Sequence, residues 1–502
     1  MPNAIPAPDA LAKQLRWEQT RREFNRLATE FGGWHKDAVD ADERNRYTQY
    51  KTQLKAIEDL MTGAHRRLVQ EFDRPALLGL ETGDLYEVCK TYDLRIVWLR
   101  RVWQFFREKF DQRHDTEGVG AVLRAADEVV WSCYRQPFAW AEENGVPLGA
   151  PQGAAPLPFI ESRYSPEAFP TQFIPEDLER EIDPVFKAQV LTRLPIPVMR
   201  LSPACVSAPW WLVFVAHEVG HHLQYDLCPA AGLVDAYKQL VKAAVGGHAD
   251  PKAADEWAGW SRELFADVVS VLLMGSAAVW GMVELEWANP WLMLRRRNAA
   301  TAAGEANGYP PAVVRLAFLR EVANQVGLDG TSALRGIQPK TLAAADDVAL
   351  RDLTLAPHVA RASLGSIPCL PAKLPELLAF SLQDHLPGPN SRVEHWKNAL
   401  PVGPPEPTPE ESLRAARQIT SGALEAWAAL TRNEASKADR DGRREKLVEQ
   451  VPAVIRKSRE PRSRASQRPP APSEDLGKEL ADALLGADLA ALQRGGVITH
   501  AL

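Results

Sequence analysis

Two histidines one helical turn apart bracket a glutamate in His217-Glu218-Val219-Gly220-His221, and this run constrains the fold more than any other feature of the chain. Residues 210–216 ahead of it are apolar and contain neither Gly nor Pro, so the motif reads as part of a buried helix. Four helical residues turn through roughly 400°, which puts His217 and His221 on one face. Both imidazoles can then reach one ion, while Glu218 leans toward the position left open for water. That is the mechanical sense of an H-E-x-x-H arrangement. The neighbouring His222 points roughly 100° away around the helix; it reads as a residue behind the ligands or on the surface.

A working site needs a third ligand, and the spacing after His221 separates the solutions. A metzincin requires Gly at 224 and His at 227, but the chain has Gln224 and Leu227. The other solution takes a Glu from a later helix. Residues 257–268 offer Glu263, with Asp267 one turn on and apolar Leu264, Phe265, Val268 and Val269 around them. Two acids on a largely buried helix need a cation. Glu263 completes a His₂Glu ligand set, and Asp267 accepts the second N–H of a ligating imidazole and fixes its tautomer. Glu256, Asp255 and His248 are the weaker candidates for the third position.

The pattern His217-Glu218-x-x-His221 followed by Glu263-x-x-x-Asp267 resembles that of gluzincin-type zinc metallopeptidases, in particular the minimal ones. The resemblance spans roughly residues 200–325. Downstream, Tyr309-Pro310 precedes Arg315 at the interval where such peptidases carry His-Pro and then Arg; this chain has Tyr where they usually have His. The resemblance implies a Zn²⁺ ion on His217, His221 and Glu263, Glu218 as general base, and Tyr309 or Arg315 as the donor to the tetrahedral oxyanion. It implies peptide or protein substrates.

Composition bounds the alternatives. The chain has 502 residues, 45% of them hydrophobic, enough for several domains with proper cores. Its 59 basic and 65 acidic residues nearly balance at −6, which gives no electrostatic footprint for nucleic acid. Cys89, Cys133, Cys205, Cys228 and Cys369 show no CxxC spacing; reduced thiols and a cytoplasmic location are the simplest reading. No secretory signal is visible at the N-terminus. The longest uncharged stretch, residues 268–283, falls short of the 18 or so residues of a membrane helix. We therefore expect no membrane span, and read that stretch as one core helix.

The expected fold is mainly α with a small β-element, a zincin-like metallopeptidase core flanked by helical regions. Helical spacing of apolar residues predicts a helical N-terminal domain over 1–145. A Pro-rich connector follows over 146–209, with residues 196–201 as an edge strand suited to peptide addition. The metallopeptidase core occupies 210–330 and a helical region 331–455, including a helix from Glu410 to Arg432. Arg295-Arg296-Arg297 reads as a solvated basic face, and Pro310 as a helix start. Residues 456–475, rich in Arg, Ser and Pro, predict a disordered linker. The tail, 476–502, carries one short amphipathic helix that is marginal without something to pack on.

Two other functional classes fit the same residues. One is a non-catalytic zinc fold used for binding, in which the ion merely pins helices. The other is an effector protease silent until a regulatory partner engages the N-terminal helices or the tail.

Overall fold

A computed structural model describes residues 8–44, 50–115, 118–148, 153–173, 175, 178, 194–228, 232–300, 306–386, 388, 391–403, 412–432, 437–458, 477–482 and 485. The chain is mainly α with small β-elements, and among the described residues no helix is long and apolar enough to cross a membrane. It divides into two compact units, one of Met1–Asp111, Phe169–Pro197 and Arg462–Leu502, the other of Gln112–Ala168 and Val198–Pro461.

The first unit is built on helices α1 (Pro8–Arg44), α2 (Lys51–Phe72) and α3 (Thr82–Asp111). Phe24, Leu27 and Phe31 recur at helical spacing along α1 and are buried, which is the apolar stripe that turns a helix toward a core. Phe72 of α2 meets Tyr92 of α3 edge to face at 5.0 Å between ring centroids. Arg16 and Thr20 both reach the Asp93 carboxylate, at 2.5 and 2.9 Å, and fix α1 against α3. The tail belongs to this unit. Residues 477–482 are helical, Leu480 and Ala481 are buried, and Asp482 accepts from Arg67 of α2 at 3.0 Å. Gly477 makes the approach possible, since a Cβ there would meet the Leu60 carbonyl oxygen at 2.7 Å.

The second unit starts with helix α4 (Gly118–Tyr134) and contains the strands. β1 (Leu157–Ile160), β2 (Glu167–Phe169) and β3 (Val198–Leu201) form one sheet in the order β1-β3-β2, with β1 and β3 parallel and Leu157 opposite Val198. The strand expected at an edge is thus the central one. Its residues are buried on both faces, and the one charged side chain among them, Arg200, pairs with Glu161 and Glu167. Buried Arg113 ties the sheet to α4, donating to Asp127 at 2.7 Å and to the Pro158 carbonyl at 2.7 Å.

Helices α5 (Val215–Asp226), α6 (Leu233–Gly246), α7 (Pro251–Gly259), α8 (Ser261–Met274) and α9 (Ser276–Glu286) follow. The stretch 268–283 is two helices, not one. Gly275 breaks it at φ 61°, in the left-handed region, and a Cβ there would meet the His385 side chain at 2.6 Å. A hairpin of β4 (Arg297–Ala300) and β5 (Ala306–Tyr309) then leads into α10 (Ala312–Gln325). The sequence reading did not anticipate this hairpin. Within the basic run Arg295 is exposed, whereas Arg296 pairs with Glu256 and with the fully buried Asp352. Helices α11 (Asp347–Ser363), α12 (Ser412–Arg432) and α13 (Lys437–Lys457) complete the unit. Residues 459–476, nearly all of the expected linker, lie outside the described residues.

Candidate metal centre

Helix α5 carries His217, Glu218 and His221, and α8 carries Glu263 and Asp267. The two helices cross at Gly220, where a Cβ would lie 2.7 Å from the Ala266 Cα. That contact sits between the two histidines on one side and between the two acids on the other. It brings His217, His221 and Glu263 together so that one ligand atom of each lies within 4.8 Å of the others. His217 Nε2 is 3.3 Å and His221 Nε2 3.5 Å from the two Glu263 oxygens. Asp267, fully buried, sits behind: its Oδ1 is 3.0 Å from His217 Nδ1, an ion-pair distance with the ring turned off the ideal hydrogen-bond direction.

These groups make a strongly coupled charge cluster. Burial disfavours an imidazolium at His217, but Asp267 and Glu263 outweigh it and lift the ring to about 10. At His221 burial prevails and lowers the ring to about 3. Although burial raises them, Glu263 and Asp267 are held below the usual carboxylate range, Glu263 first by His221 and Asp267 first by Arg315. The positive charge that holds both acids ionised comes from Arg315 and the histidines. Buried carboxylates with facing imidazoles fit Zn²⁺, which takes His nitrogen and carboxylate oxygen in a tetrahedral set. His221 Nδ1 has no hydrogen-bond partner among the described residues, and its Nε2 is the nitrogen on the Glu263 side.

Glu218 behaves differently. Its buried carboxyl is pushed up to about 7, chiefly by burial, and a hydrogen bond from the backbone N–H of Ala168 on β2 acts weakly the other way. A carboxyl poised near neutrality is what a general acid–base group requires.

Arg315, buried on α10, reaches the same atoms: its Nη2 lies 3.2 Å from His217 Nε2, the nitrogen that faces Glu263. Its Nε and Nη2 each donate to Asp267 at 2.9 Å in a two-pronged pair, Nη2 also donates to Glu263 at 3.1 Å, and Nη1 donates to Glu286 at 3.2 Å. Tyr309 ends β5 with its ring 40% exposed, and its phenol is held above the ordinary value by Glu263 first and by burial second.

The weaker candidates are elsewhere. Asp255 pairs with Lys242, Glu256 with Arg296 and Arg351, and His248 stacks on His358 at 3.7 Å. His222 is fully buried, with neither ring nitrogen partnered among the described residues, so it is not a surface residue. Sequence reasoning missed Gly220, Glu286 and the Ala168 amide. A glycine inside a buried helix between two ligands was a readable sign of close helix packing; a backbone amide leaves no sign. No protein-family model, curated protein or solved structure matches this chain.

Proposed function

We propose that this chain is a zinc-dependent metallopeptidase of gluzincin type, with His217, His221 and Glu263 as ligands and Glu218 as general base. The convergence of those three ligand atoms beside a buried glutamate poised near neutrality carries the reading. A zinc ion on these ligands supplies Lewis-acid polarisation of a peptide carbonyl and an acidified water.

The remaining chemistry belongs to the side chains. Glu218 Oε takes a proton from the attacking water and returns it to the leaving amine, while the Ala168 N–H holds its carboxyl in place. Tyr309 donates its phenolic proton in a hydrogen bond to the developing oxyanion, a role for which its high pKa keeps it protonated. Arg315 has a different part from the one the resemblance implies. With its guanidinium engaged by Asp267, Glu263 and Glu286, it orients the ligand carboxylate and the acid behind His217. Extended peptide adds along β2, an edge of the sheet that touches Glu218, rather than along central β3.

A purely structural zinc site is the poorer account, because it fills its fourth position with a protein ligand and has no use for a buried, elevated glutamate beside the cluster. Glu218→Gln tests the assignment. Zinc content of the variant should equal that of the parent while cleavage of an unstructured protein substrate falls by several orders of magnitude; retained cleavage removes Glu218 from the chemistry.

A further inference from the structure

Two of the five cysteines meet far apart in sequence. Cys228 lies two residues beyond α5, and its thiol donates to the Cys369 carbonyl at 2.9 Å across 141 residues of sequence. Standard bond lengths then put the Cys228 sulfur within about 5.3 Å of the Cys369 Cα, close to the geometry a disulfide needs. Their exposures differ: Cys228 is buried, whereas Cys369, in the turn after α11, is half-buried. The other three, Cys89, Cys133 and Cys205, are buried.

We propose that Cys369 and Cys228 form a peroxide-responsive pair, in which Cys369 is the accessible thiol oxidised first and Cys228 the buried thiol that resolves it. The Cys369 sulfur attacks one oxygen of a hydroperoxide and the O–O bond breaks. This leaves a sulfenic acid on Cys369, and the departing oxygen takes up the thiol proton. The Cys228 sulfur then attacks the Cys369 sulfur, the S–O bond breaks, and water leaves with the Cys228 proton. The pair loses two electrons and two protons, and the peroxide is reduced to the level of water. The product ties the exit of the helix bearing His217 and His221 to the turn after α11.

Burial, with the adjacent Cys228 thiol, pushes Cys369 up to about 11, so the thiolate fraction is small and the reaction slow at neutral pH. The pair responds to sustained oxidant rather than to a brief pulse. Closing so long a loop stabilises the folded chain through the unfolded ensemble.

The test uses the full-length, metal-free protein treated with hydrogen peroxide in mildly alkaline buffer, then denatured, alkylated without reductant, digested and analysed by mass spectrometry. The expected result is one disulfide joining the Cys228 and Cys369 peptides, with Cys89, Cys133 and Cys205 alkylated. The melting temperature should rise by several degrees and return on reduction. In Cys228→Ser, Cys369 should be trapped by dimedone as its sulfenic acid, with no disulfide and no thermal shift. Over-oxidation of Cys369 in the parent with Cys228 still free, a disulfide to another cysteine, or two unmodified thiols would each overturn the proposal. None of these readouts depends on peptidase activity.

Discussion

Gly220 on the His217 helix packs against Ala266 on the Glu263 helix so closely that a methyl group at 220 would lie 2.7 Å from the Ala266 Cα. No side chain fits between these helices, and the spacing of all three ligands follows from that contact. Gly220→Ala gains about 1 kcal/mol of helix propensity yet must push the helices apart. We expect zinc affinity, measured by chelator competition, to fall at least tenfold. Unchanged affinity would show that the helix spacing does not set the ligand geometry.

Arg315 holds buried Asp267 with two hydrogen bonds and touches Glu263 and Glu286. Removing one partner of a buried ion pair leaves an uncompensated charge and typically costs about 3–5 kcal/mol. Arg315→Met should lose that much stability in urea unfolding of the metal-free protein, and saturating zinc should restore part of it. Arg315→Lys, which keeps the charge without the fork, should fall between parent and Met variant. A Met variant as stable as the parent would remove Arg315 from the support of the site.

Asp226 supplies a pH test away from the ligands. It is half-buried and accepts a hydrogen bond from the Tyr134 hydroxyl at 2.7 Å; desolvation raises its carboxyl to about 6, against that hydrogen bond. The folded value exceeds the unfolded one, about 3.9. Its stabilising contribution is therefore full below about pH 4 and is lost as pH rises through about 6. Asp226→Asn has no such loss. Relative to the parent, the variant should gain on the order of 2–3 kcal/mol between those limits, read from urea unfolding at a series of pH values. Parallel stability profiles would contradict the shift.

The tail offers a fourth check. A leucine at 477 cannot occupy a position where even a Cβ would meet the Leu60 carbonyl at 2.7 Å. Gly477→Leu should release residues 477–482 and speed amide exchange in α2 around Leu60 and Ala64, leaving α5 and α8 unchanged. Unaltered exchange in α2 would mean that the tail contributes nothing to this unit.

Much of the candidate site was legible in the sequence because its logic is local. His217, Glu218 and His221 follow from helix periodicity, and Glu263 and Asp267 from two acids a turn apart among apolar neighbours. What periodicity could not supply was tertiary. The connector 146–209 showed Pro-rich extended segments, but nothing in it ranked the strands, so residues 196–201 were placed at an edge and lie in the centre. Gly275 looked like a tolerable glycine within one helix; its positive φ and the His385 packed on it make it the boundary between two. Arg315 was visible as an arginine at a suggestive interval from Tyr309, but whether it faces substrate or the carboxylates depends on Glu286, which comes from α9.

X-ray absorption at the zinc edge of the metal-loaded protein tests the central claim most directly. The account predicts one zinc per chain, with two imidazole nitrogens at about 2.0–2.1 Å and carboxylate or water oxygens at about 2.0–2.2 Å. The imidazole scattering should weaken in His221→Ala. Failure to retain zinc, or a sulfur shell at about 2.3 Å, would contradict a metal centre built from His217, His221 and Glu263.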